Sequence, residues 1–141
     1  MTKTFSRTFW ATCCALSALG GATISSLVSA AGAGHEHVVF STALPNVPGK
    51  TLTAVVVDYA AGGTSPAHQH AGSVFAYVLS GAIRSENSAT GPVKTYQAGE
   101  AFFEPPGSVH RISENASQSE PAKLLAVFVA DDHAHLTLPA K

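Results

Sequence analysis

Among its 141 residues the chain has only two cysteines, one methionine and one tryptophan, and charged residues make up just 12%. Cys13 and Cys14 are adjacent and lie within the first thirty residues. If that segment is removed, the remainder has no disulfide and must hold together by packing and hydrogen bonding. Basic residues number eight and form no cluster, which argues against nucleic acid as a partner. No stretch of the chain shows the 3.6-residue apolar period of an amphipathic helix. There is no internal repeat, and no low-complexity run beyond the Ala/Gly start.

The first thirty residues have the composition of a secretory signal peptide. Lys3 and Arg7 make a basic start, Phe9 to Val28 is uncharged and built of apolar and small residues, and Val28-Ser29-Ala30 is a small-residue cleavage pattern. The run is too rich in Gly, Ser, Thr and Ala for a spanning helix of about 20 residues. The expectation is a mature chain starting near Ala31, periplasmic or secreted, with no membrane association after cleavage. Cleavage leaves 141 − 30 = 111 residues, with six basic against nine acidic side chains, a net charge of −3. That length suits one domain. We divide the chain into a signal at 1–30, an N-terminal segment with a first strand at 31–45, a β-barrel at 46–131 and a C-terminal tail at 132–141.

Within the mature chain, β-branched and apolar runs alternate with turn residues. Strands are expected at 38–43, 51–59, 74–79, 82–85, 93–97, 101–104, 109–113 and 123–130. Between them lie Gly62-Gly63-Thr64-Ser65-Pro66, a polar hairpin loop at 86–91, Ala98-Gly99-Glu100, Pro105-Pro106-Gly107 and a polar loop at 114–121. Short strands at such spacing imply an all-β fold, a sandwich or small jelly-roll barrel. Tyr59, Phe75, Tyr77, Phe102, Phe103 and Phe128 read mainly as core or dimer contacts.

The chemistry sits in two stretches. In Gly62-x5-His68-x-His70 the two imidazoles fall on one face of a strand, because side chains repeat every second residue. Forty residues on comes Gly99-x5-Pro105-x-Gly107-x2-His110. A third imidazole from a neighbouring strand would complete a triad that leaves coordination positions open for water, oxygen or substrate. The His35/His37 and His133/His135 pairs sit at the mature ends and read as polar tails, with adventitious or scavenging metal binding as the alternative.

These two stretches resemble the paired motifs of the cupin superfamily, G-x5-H-x-H-x3–4-E-x6-G and G-x5-P-x-G-x2-H-x3-N. Gly62, His68, His70, Gly81, Gly99, Pro105, Gly107 and His110 match. Val74 stands where the glutamate belongs, and Asn115 is one residue late. The resemblance covers about residues 50 to 130. It implies a jelly-roll barrel, a divalent first-row metal ion held by His68, His70 and His110, and a small-molecule substrate. The missing glutamate makes the site similar to that of the three-histidine cupins, which include dioxygenases. Fe2+ is the metal that likeness favours, with Zn2+, Mn2+ or Ni2+ as alternatives. A neutral three-imidazole site favours an anionic, chelating substrate such as an enolate. The same likeness gives Glu104 a catalytic role: orienting a metal-bound water, holding a ligand imidazole or taking a proton from substrate. A homodimer is also expected, from the family and from apolar strands that need covering. The competing readings are a non-catalytic cupin binding a metabolite or sugar, and a metal-dependent isomerase or decarboxylase.

Overall fold

A computed structural model describes residues 34–141; the expected signal at 1–30 lies outside the described residues. Among these residues, β1 (His35–Ala43), β2 (Lys50–Tyr59), β3 (Thr64–Ser65), β4 (His68–His70) and β5 (Ser73–Ser80) lead into β6 (Ala82–Asn87). β7 (Gly91–Gln97), β8 (Ala101–Glu104), β9 (Val109–Asn115), β10 (Ala122–Asp131) and β11 (Thr137–Pro139) follow. They form two antiparallel sheets. One has the order β1-β2-β10-β5-β8 and the other β11-β4-β9-β6-β7, with β3 paired to β9. This is an all-β jelly roll. No helix among the described residues is long and apolar enough to cross a membrane.

Alternation of side chains builds the core. Val55, Val57 and Tyr59 of β2, Val74, Ala76 and Val78 of β5, and Leu124, Ala126 and Phe128 of β10 all point inward, with Ile83 from the second sheet closing against them. The outer face of the first sheet is also apolar. Phe75, Tyr77 and Leu79 of β5 and Phe103 of β8 remain exposed there, more apolar surface than scattered residues explain.

Two glycines set corners at the two ends of β5. Gly81 turns between β5 and β6 at φ 69°, in the left-handed region. Gly72, just after β4, packs so close to β10 that an added Cβ would lie 2.2 Å from the Val129 carbonyl oxygen.

The structure departs from the sequence reading at three places. The polar loop read at 86–91 shrinks, because β6 runs on to Asn87, which pairs opposite His110 and is buried. β9 likewise extends to Asn115, whose buried amide donates to the carbonyls of Ala60 and Glu120 and ties two loops together. The segments read as polar tails carry strands: β1 begins at His35, and Thr137–Pro139 pairs with β4 across from His70, Gln69 and His68. Their sequences are too short and polar to show a strand period. The pairing comes from open edges on β2 and β4.

Candidate metal centre

Strand pairing gathers the three histidines. His68 and His70 share the inner face of β4, and His68 lies directly opposite His110 on β9. Their ligand atoms all lie within 4.8 Å of one another, so the cluster can hold a metal ion. His70 and His110 are buried, and His68 is half-buried at the mouth.

Each ring is fixed by a partner outside the cluster. His68 Nδ1 lies 2.7 Å from the Pro66 carbonyl oxygen, and His70 Nδ1 lies 3.0 Å from that of Leu136. A carbonyl only accepts, so in the neutral rings both protons sit on Nδ1 and both Nε2 lone pairs are bare. Those two Nε2 atoms are 3.1 Å apart. Two lone pairs at that distance repel unless a cation lies between them. Ligands about 2.1 Å from one ion and at right angles are about 3 Å apart, so the spacing suits a metal. Burial pushes the His70 imidazole below its ordinary pKa, which favours the neutral form that ligation requires.

His110 follows the same plan with its nitrogens exchanged. Its Nε2 lies 2.8 Å from Ser85 Oγ, and its Nδ1 faces Glu104 Oε2 at 3.0 Å. The same carboxylate oxygen is 3.9 Å from His70 Nε2.

Glu104 reaches the cluster from the opposite sheet. It ends β8 directly across from Val74, so both side chains point inward from neighbouring strands. A carboxylate therefore stands one strand away from the position where the cupin motif would place it. Glu104 is only 3% exposed. Burial raises its pKa, but the hydrogen bond from His110 and the charges of His110, His70 and His68 outweigh that and hold the carboxyl below its ordinary value. Asn87 Nδ2 donates to Glu104 Oε2 at 3.2 Å and to Ser108 Oγ at 2.9 Å, fixing the carboxylate's position.

The sequence reading missed Ser85 and Asn87. Neither has a local signal. Their roles follow from β6 lying beside β9 in register, which places Ser85 and Asn87 on the His110 side. Tyr59 was read as core, and its ring is buried. Its hydroxyl bonds Ser65 at 2.9 Å and Ser113 at 2.8 Å and borders the same cavity as the histidines. Burial raises its pKa, so the phenol stays protonated. Arg111 follows His110 directly on β9, so it faces outward, and it pairs with Glu86.

The cavity at the cluster is small, about 30 Å³. That is room for an ion and one or two small ligand atoms. Outside His68 it meets a groove of about 330 Å³ bordered by Glu36, Ser65, Pro66, Thr137 and Pro139. The donors fit an implied metal: three neutral imidazoles and one ionised carboxylate suit Fe2+, Zn2+, Mn2+ or Ni2+.

Comparison with known proteins agrees with this fold. A conserved double-stranded β-helix protein from Klebsiella pneumoniae is 26% identical, with 77% of this chain aligned to 86% of that one at a TM-score of 0.59. The DMSP lyase DddQ from Ruegeria pomeroyi is 20% identical over 77% of this chain and 52% of its own, at a TM-score of 0.60. An oxalate decarboxylase structure is 24% identical over 72% of this chain and 27% of its own, at a TM-score of 0.56. The last two likenesses are of fold. No curated protein matches the chain. The family model for the cupin domain matches residues 55–128, more than half the length, and with the two motifs and the jelly roll it shows that this chain belongs to the cupin family.

Proposed function

We propose that this cupin is an exported, metal-dependent oxidoreductase of the dioxygenase type, acting on a small chelating molecule. The reading rests on the two bare Nε2 atoms of His68 and His70 at 3.1 Å, with the Glu104 carboxylate beside them. Ferrous iron held by His68, His70 and His110 would supply oxygen activation and polarise a chelated substrate.

The remaining chemistry belongs to the chain. Pro66, Leu136 and Ser85 orient the three rings. If His110 ligates through Nδ1, that nitrogen gives up its proton and Glu104 keeps Asn87 as its partner. Its Oε2 then keeps the Asn87 hydrogen bond on one lone pair and has the other open to ligate the same ion or to take a proton from the substrate. This changes the charge expected from sequence. With Glu104 ionised, a divalent ion and its protein ligands sum to about +1, which suits a monoanionic chelate. The 30 Å³ cavity admits only the chelating atoms, so the rest of the substrate lies in the groove beside Glu36 and Thr137.

The test is metal analysis of anaerobically purified protein, with oxygen uptake measured on a panel of β-diketones, enols and small thiols. Retained iron and uptake with at least one compound are expected. Turnover without oxygen use, on Zn2+, Mn2+ or Ni2+, would replace the reading with a Lewis-acid isomerase or decarboxylase. Protein that holds no metal and turns nothing over would be a binding module.

Export and assembly belong to the same proposal. The exported protein should have an intact mass that starts near Ala31; a mass retaining Cys13 and Cys14 refutes cleavage. The exposed Phe75, Tyr77, Leu79 and Phe103 suit a homodimer that buries the β5–β8 end of the outer face of the first sheet and leaves the β1–β2 end open. Light scattering should give twice the monomer mass, and Phe103→Lys should halve it.

A further inference from the structure

We infer a second metal site on the outer face of the first sheet, built from His35, His37 and Asp58 and suited to a late first-row divalent cation, Cu2+ or Zn2+. His35 and His37 alternate to the same side of β1, and His35 lies directly opposite Asp58 on β2. Asp58 points away from the core, since its neighbours Val57 and Tyr59 point into it. The three side chains therefore lie across the sheet from the central histidines. Their ligand atoms lie within 4.8 Å of one another, and among the described residues only this group and the central one meet that condition. The His133/His135 pair does not.

The local contacts turn one Asp58 oxygen away from the imidazoles and the other toward them. Lys123, across from Asp58 on β10, holds Asp58 Oδ1 at 2.8 Å. The other oxygen, Oδ2, faces His37 Nδ1 at 3.6 Å. That is too long for a hydrogen bond, yet suitable for two donors flanking one ion. Two imidazoles and one carboxylate give a mixed nitrogen–oxygen set, and among divalent first-row ions such sets hold copper most tightly. All three residues are at least partly open to solvent, so an ion reaches them without passing through the barrel.

The site is independent of the central one, and so is its test. Purified protein is titrated near neutral pH with Zn2+, and separately with Cu2+, against a chromophoric chelator. Two equivalents per chain are expected, falling to one in His37→Ala, with Asp58→Asn weakening the outer site about tenfold or more. His68→Ala should remove the inner equivalent and keep the outer. In His68→Ala, which lacks the central site, a first equivalent of Cu2+ should broaden the NMR signals of His35, His37 and Asp58. All these residues are solvent-accessible, so the variants should fold, and circular dichroism checks that they do. If His37→Ala and Asp58→Asn bind both equivalents as tightly as wild type, or if Cu2+ broadens only His133 and His135, the site does not exist.

Discussion

His110→Ala is expected to lose the central metal and to destabilise the fold by about 3 kcal/mol, lowering Tm by roughly 10 °C or more. Two effects combine. The ring is one of three imidazoles in the cluster, and removing a ligand should weaken binding by more than about 100-fold, since removing even an outer partner costs about 10- to 100-fold. His110 also hydrogen-bonds Glu104, a carboxylate that is only 3% exposed. Without the ring, Glu104 keeps Asn87 alone and becomes a largely unpaired buried charge. Metal content and thermal unfolding of the apo-protein separate the two effects. The double variant His110→Ala/Glu104→Gln should recover much of the lost stability while still binding no metal, because the amide carries no charge. If the single variant unfolds like wild type, Glu104 is not held by His110. If it keeps its metal, the triad is wrong.

Val74→Glu carries the next largest effect. By motif logic alone, it restores a carboxylate that the family uses as a ligand. Here Val74 is fully buried and sits directly across β5–β8 from Glu104. A second carboxylate would stand beside an ionised one in a dry interior, so like-charge repulsion adds to the loss of a packed valine. The apo-protein should lose about 3–5 kcal/mol. Excess metal should return part of it, since the ion binds only the folded state and would take both carboxylates. The exchange Val74→Glu/Glu104→Val keeps one carboxylate at the cluster and should bind metal within about tenfold of wild type. A single variant as stable as wild type without metal would show that the two side chains do not meet.

That contrast marks where the sequence stops being informative. The strands were readable because β-branched residues alternate with polar ones between glycine and proline turns, and 101–104 came out at the observed boundaries. The pairing of His68 with His70 was readable because it is local: a strand turns side chains over every second residue. His110 was found through motif spacing. Asn87 was misplaced in a loop because its burial depends on β9, a strand some twenty residues away. The His35/His37 and His133/His135 stretches were read as tails because neither carries a period strong enough to show pairing. β11 exists only because β4 offers it an edge.

The sequence by itself determined the all-β class, the turn glycines and the three imidazoles, since each depends on residues close along the chain or on a spaced motif. Only the tertiary structure decided what surrounds those imidazoles. The Val74–Glu104 register puts a carboxylate beside the triad, β6 supplies Ser85 and Asn87 to orient His110 and Glu104, and β2 brings Asp58 to His35 and His37. Each of these is a contact between strands distant in sequence, set by sheet order and register. A single chain read in order contains no measure of either.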